Sequence, residues 1–198
     1  MSQISTKPLA GTRDFLPDEM TLRREVIKRI QSSFESHGFR PIETPSIENL
    51  NVLIGKYGEE GDKLLYRILL RKDALSRALK SEEEISETQL AKEGLRYDLT
   101  LPFSRVIAQH HGDLPKYFRR YQIQPVWRAD RPAKGRFREF YQCDIDAIGT
   151  NSLVAEHEVC TAVVSALTRL EINSFSIRVN HRGLLHDLLE HVGVPDNL

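Results

Sequence analysis

The stretch 125–146, PVWRADRPAKGRFREFYQCDID, decides the reading of this chain. It opens on alternating residues, breaks at Pro132 and Gly135, and resumes alternation from Phe137. Two alternating runs around a Pro- and Gly-bearing loop predict an antiparallel hairpin with a long connection. Arg128, Arg131, Lys134, Arg136 and Arg138 crowd the loop, whereas Gln142, Asp144 and Asp146 follow it. In the first run Tyr121, Ile123 and Trp127 share one face, and Gln122, Gln124 and Arg128 the other. In the second, Phe137, Tyr141, Cys143 and Ile145 oppose Arg138, Gln142, Asp144 and Asp146. Such a hairpin offers guanidinium groups for an anion at its loop and carboxylates for a cation or N–H donor along its strand.

Working outward, LRYDLTL (95–101) also alternates and predicts a third strand, with Arg96, Asp98 and Thr100 on its polar face. If the three strands are neighbours, Asp98, Thr100, Arg128, Gln142 and Asp146 project from one surface, a set suited to a phosphorylated ligand beside an amine. A solvated sheet face is the competing reading of each strand alone. Helical spacing of Leu22, Val26, Ile27, Ile30 and Phe34 predicts a helix over 18–37, started by Pro17 and Asp18 and stopped at Gly38. FRPIETPSIE reads as an edge or irregular strand because of Pro41 and Pro45. Helices are expected over 103–113, over 152–170 with Val159, Val163, Leu167 and Leu170 as its stripe, and at RGLLHDLLEHVG. FSIRVN (175–180) reads as a strand. The charged segment 73–93 reads as a mobile surface insertion. Helices mixed with antiparallel strands make the class α+β.

Bulk properties narrow the function classes. Lys plus Arg and Asp plus Glu each total 28, so no overall basic signal points to nucleic acid. Cys143 and Cys160 lack CxxC spacing and read as buried thiols of a reducing cytoplasm. No apolar run reaches membrane-spanning length. GKYGEEG (55–61) fits neither GxxxxGK[ST] nor GxGxxG. His110 and His111 diverge on a helix, and no metal site is expected.

Taken together, these segments resemble the catalytic domain of class II aminoacyl-tRNA synthetases of the histidyl-tRNA synthetase family. GTRDFLPDE resembles that family's opening segment, and the helix from residue 18 with FRPIETPSIE resembles motif 1. LRYDLTLPFSRVI resembles its first histidine-binding segment, and VWRADRPAKGRFREFYQCDIDAIG its motif 2. Asp98 and Asp146 stand where another branch of the family carries glutamates. The resemblance implies a six-stranded antiparallel sheet with flanking helices and a motif 1 homodimer. It implies histidine, ATP with Mg2+, and tRNA(His) as ligands: histidine is activated to histidyl-adenylate, then transferred to tRNA. By that resemblance Asp98, Thr100 and Gln142 hold the α-amino group, and Asp146 accepts from the imidazole N–H. Arg128 grips the α-phosphate and the substrate carboxylate, stabilising charge as the carboxylate attacks. Arg136 reaches the outer phosphates. On the family pattern, Leu198 falls before the second histidine segment, motif 3 and the anticodon-binding domain. The chain is therefore expected to be a truncated catalytic domain, inactive by itself. The second function carried forward is a synthetase-like regulatory subunit of ATP phosphoribosyltransferase, which keeps the fold as a binding module.

Overall fold

The computed structural model describes residues 4–54, 63–80 and 86–193. The glycine-bearing stretch GKYGEEG (55–61) lies outside the described residues. Helix α1 spans Pro17–Ser36, with Pro17 at its first turn and the Glu19 carboxylate accepting from the Leu16 N–H at 3.2 Å. Gly38, at φ +79°, ends it as expected. Strands β1 (Arg40–Pro41) and β2 (Ile47–Asn49) follow, then the short α2 (Leu50–Leu53) and β3 (Tyr66–Leu69). Helices α3 (Lys72–Leu79) and α4 (Glu87–Leu90) lead into β4 (Ala91–Leu95). Then come α5 (Thr100–His110), β5 (Phe118–Trp127), β6 (Glu139–Ile148), α6 (Val154–Arg169) and α7 (Arg182–His191).

The described strands form two three-stranded sheets, ordered β1-β5-β6 and β2-β4-β3. β5 and β6 make the expected antiparallel hairpin, in register from Phe118 opposite Ile148 to Trp127 opposite Glu139. β1 runs parallel to β5, a departure from the wholly antiparallel expectation. β1, which carries Pro41, and β2, which begins two residues after Pro45, both sit at sheet edges, where a missing N–H costs no ladder bond.

One face of the hairpin is apolar and carries the first core. Tyr121, Ile123 and Ile145 meet Phe34 and Ile30 of α1, Phe39, and Val159, Ala162 and Ala166 of α6. Burying a side chain such as Phe34 stabilises by about 1.5–3 kcal/mol. Small residues let the two helices approach closely: Ser33 donates to or accepts from Ser165 at 3.0 Å, beside fully buried Ala162. The buried stripe of α6 thus runs through Ala162 and Ala166 rather than along Leu167 and Leu170. A second core, Leu50, Leu53, Leu65, Ala91, Tyr97 and Leu101, lies against the other sheet.

The cores meet at Arg96, whose side chain has no solvent exposure. Its Nε donates to Pro125 O at 3.0 Å, and its Nη1 to Thr44 O at 2.5 Å, with Pro45 O and Gln124 Oε1 at 3.1 and 3.2 Å. Its backbone donates to Ser46 O and accepts from Trp127 N, both at 3.0 Å. Burial depresses the Arg96 pKa, opposed by the fields of Glu43 and Glu48. The carbonyls around Nε and Nη1 take the place of lost water, while Nη2 has no hydrogen-bond partner among the described residues.

Several expectations change here. Residues 95–101 are not a strand: β4 ends at Leu95, and Thr100 already begins α5. Alternation fails because Arg96, Tyr97, Asp98 and Leu99 are all buried. The segment 73–93 is not wholly a surface insertion. Its last residues enter β4, the central strand of its sheet, with Ala91 only 1% exposed. FSIRVN forms no strand among the described residues, leaving Phe175, Ile177 and Val179 exposed. Both cysteines are free but neither is buried: Cys143 is exposed and Cys160 intermediate.

Two substitutions test this framework by urea unfolding. Arg96→Met strips donors from three backbone carbonyls and is expected to cost about 3 kcal/mol or more, while a loss under about 1 kcal/mol would deny it the joint. Gly149 sits at φ +87°, where an added Cβ would lie 1.6 Å from Lys116 O. Gly149→Ala should therefore cost at least about 2 kcal/mol, and an unchanged midpoint would contradict the close approach.

Candidate functional site

The even-numbered face of the hairpin is polar, but it is not a wet sheet face. Arg120 and Gln122 of β5 are fully buried, and opposite them β6 supplies Asp146 and Asp144, with Gln142 facing Gln124. The cross-strand register therefore builds a ladder: Arg120 with Asp146, Gln122 with Asp144, Gln124 with Gln142. Gln122 Nε2 donates to Gln124 Oε1 at 2.6 Å and to Thr44 Oγ1 at 2.8 Å. These bonds tie the ladder to the network around Arg96.

At the ladder's far end, Arg120 Nη2 lies 2.6 Å from Asp146 Oδ2, an ion pair whose angles fall short of a hydrogen bond. Arg120 is shielded completely, whereas the Asp146 side chain is 33% exposed. Arg120 Nη1 donates to Gln122 Oε1 at 3.2 Å, and the guanidinium lies 4.3 Å from the Phe103 ring centre. Burial lowers its pKa, while Asp146, Asp144 and Asp98 act in the opposite direction. For Asp144 burial raises the pKa first. Asp146 and Asp98 push it the same way, and Arg120 and Arg128 pull it down. Asp144 is thus within electrostatic reach of Asp98, Asp146, Arg120 and Arg128, a set of three carboxylates and two guanidinium groups.

Asp98 is 5% exposed, and its Oδ1 accepts from the Leu101 N–H at 3.1 Å, bracing the start of α5. Thr100 is the first residue of that helix and half-buried, so helix α5 rather than a strand sets its direction. Gln142 Oε1 is buried and finds no hydrogen-bond partner among the described residues, an acceptor open to a ligand's N–H.

Arg128 follows β5 and is fixed by its Nε donating to Tyr97 O at 3.1 Å and by the Phe140 ring, 5.2 Å from its guanidinium carbon. It lines a pocket of about 200 Å³ with Asp130, Gly135, Arg136, Phe137 and Phe140. Arg136 stands 3.8 Å from Asp130 and is 65% exposed, on a turn where Gly135 adopts φ +79°. Two guanidinium groups on one pocket suit a polyphosphate.

The structure therefore sets Asp98, Asp146 and Arg128 each around Asp144, puts Gln142 on the same ladder, and joins Arg136 to Arg128 through the pocket. Sequence reading missed Arg120, Gln122 and the part played by Asp144. Their signal was present: FRRYQIQ carries Arg120, Gln122 and Gln124 on one strand face, which the hairpin register sets against the acids.

The Asp144 shift gives a pH test. A carboxyl whose folded pKa is raised penalises the fold when ionised, and that penalty is relieved as pH falls through the folded pKa. Asp144→Asn is thus expected to gain stability over wild type between pH 4 and pH 7, read from urea midpoints at each pH. A constant or shrinking difference would contradict a raised pKa.

Comparisons place this geometry. The profile described as histidyl-tRNA synthetase matches residues 11–198. A histidine–tRNA ligase of Christiangramia forsetii is 46% identical over 193 residues, covering 95% of this chain and 42% of that protein. One from Gloeobacter violaceus is 43% identical, covering 98% and 42%. The crystal structure of histidyl-tRNA synthetase from Nostoc sp. PCC 7120 superposes with a TM-score of 0.76 at 31% identity, covering 97% of this chain and 41% of that one. A Bacillus halodurans structure titled as an ATP phosphoribosyltransferase regulatory subunit/histidyl-tRNA synthetase also reaches 0.76, at 24% identity, which speaks for the fold alone. The chain spans about two fifths of the length of the curated relatives it matches. It belongs to the histidyl-tRNA synthetase family.

Proposed function

We propose that the ladder and its adjoining pocket are the histidine- and ATP-binding part of a histidine–tRNA ligase. The observation that carries this is the pairing of an acid-rich ladder, with the orphan acceptor of Gln142, to a pocket carrying Arg128 and Arg136. A zwitterionic amino acid with an N–H-donating ring matches the first, and a nucleotide triphosphate the second.

In this reading Asp98, Thr100 and Gln142 receive the α-ammonium group, and Asp146 accepts from the imidazole N–H. Arg128 lies between the two halves. It neutralises the substrate carboxylate and the α-phosphate, which otherwise repel, and stabilises the charge that builds up during attack. Its bond to Tyr97 O and its stacking on Phe140 keep that guanidinium preorganised. Arg136 contacts the outer phosphates. Magnesium would come as the companion of those phosphates. The pocket lining offers it one carboxylate, Asp130, which already faces Arg136. The family's chemistry then gives histidyl-adenylate and pyrophosphate, followed by transfer to tRNA(His).

We also propose a homodimer through α1, because Leu16 and Leu22 at its exposed start are each 67% accessible. No helix among the described residues is long and apolar enough to cross a membrane, and a cytoplasmic setting accords with synthetase chemistry. The regulatory-subunit reading rests on one neighbour of low identity, whereas the curated relatives at 43–47% identity are described as ligases.

Calorimetric titration of histidine and ATP, separately, into wild type and Asp146→Asn tests the assignment. Loss of a charge-assisted hydrogen bond costs about 1.5–3 kcal/mol, so histidine should bind about ten- to a hundredfold more weakly to the variant. ATP affinity should stay unchanged. Equal losses for both ligands, or no histidine binding by wild type, would remove the site from this role.

A further inference from the structure

We infer that Arg120 is the positioning residue for histidine: it pairs with one carboxylate oxygen of Asp146, leaving the second oxygen to accept the ring N–H. This rests on the functional reading above. It adds a residue that touches no ligand yet sets the direction of one that does.

Four observations carry it. Arg120 and Asp146 are directly opposed across the hairpin, so their meeting is built into the strand register. The contact uses Oδ2 of Asp146, at 2.6 Å from Nη2. The guanidinium cannot drift: it has no solvent exposure, is held by Gln122 Oε1, and is stacked on Phe103 of α5. Asp146, by contrast, is one-third exposed, so the pair has a closed cationic side and an open anionic side. A short side chain with two torsions, drawn at one oxygen toward a rigid planar cation, presents its other oxygen in a restricted direction.

The charges facing the pair explain why a cation is needed there. Asp98 comes from the segment before α5, Asp144 from β6 and Arg128 from the end of β5. Without Arg120, Asp146 would face Asp98 and Asp144 with Arg128 as the remaining cation of the set. An Asp146 carboxylate without that partner is free to turn its oxygens away from the ring N–H. Arg120 Nε and Nη2 are both buried with no hydrogen-bond partner among the described residues, so the ion pair with Asp146 offsets the burial of that end of the guanidinium.

The test has two arms. The first is a double-mutant cycle in the unliganded chain: wild type, Arg120→Met, Asp146→Asn and both together, followed by thermal unfolding. Coupling is expected, with the double variant no less stable than the worse single variant; additive losses would overturn the pair. The second arm titrates histidine and ATP, separately. Arg120→Met should weaken histidine about tenfold while ATP binding is unaffected. Arg120→Lys, which restores the charge and guards against a methionine variant that fails to fold, should recover most of the histidine affinity. A merely structural arginine would lower stability while leaving histidine affinity unchanged, or weaken both ligands equally, and either result overturns the inference. If wild type binds no histidine, the functional reading falls and takes the positioning role with it, while the cycle still reports the ion pair by itself.

Discussion

A guanidinium group removed from water must find hydrogen bonds inside the protein, and Arg96 does so through Nε and Nη1 where the two sheets meet, while its Nη2 has no hydrogen-bond partner among the described residues. The cost of burying it is offset only because Thr44, Pro45 and Pro125 all turn carbonyls toward it. Those carbonyls belong to the chain between β1 and β2 and to β5, so satisfying one side chain fixes three segments. Its backbone, bonded to Ser46 and Trp127, extends the same joint. Tyr97 and Asp98 follow immediately, and this is how Tyr97 O comes to hold Arg128 and Asp98 comes to face Arg120.

The functional face grows out of that structural network without a boundary. Thr44 and Gln124 bond to Arg96, Gln122 bonds to both, and Arg120 bonds to Gln122 before reaching Asp146. Polarity increases in consequence along the ladder, from buried amides that satisfy each other to carboxylates in excess over their cations. Burial raises the pKa of Asp144, and its neighbours Asp146 and Asp98 push the same way against Arg120 and Arg128. A ligand bringing a positive charge and N–H donors would relieve that penalty, which is the electrostatic basis of the amino-acid site proposed above.

Much of this was legible from sequence where a single periodicity governs. Helix α1, the hairpin and α6 follow from apolar spacing with turn residues between them, and Gly38 and Pro41 stand where their backbone chemistry requires. The reading failed where polar residues are buried. Alternation in LRYDLTL predicted a half-exposed strand because Arg96 and Asp98 were counted as outward-facing, yet both are inside. The same assumption hid Arg120 and Gln122: a polar strand face was weighed as either solvated or ligand-binding, and here it is chiefly an internal hydrogen-bonded layer. FSIRVN has the composition of a strand, but strand formation depends on a neighbour, and none pairs with it among the described residues. Of the candidate site, Asp98, Gln142, Asp146 and Arg128 were legible through family resemblance, while the cation behind them needed the register.

The most direct measurement is a crystal structure of the chain with histidine bound. The account predicts the imidazole N–H within hydrogen-bond distance of Asp146 Oδ1, the Arg120–Asp146 contact retained through Oδ2, and the α-ammonium beside Gln142 Oε1. Histidine bound elsewhere, or bound with Asp146 swung away from Arg120, would contradict it.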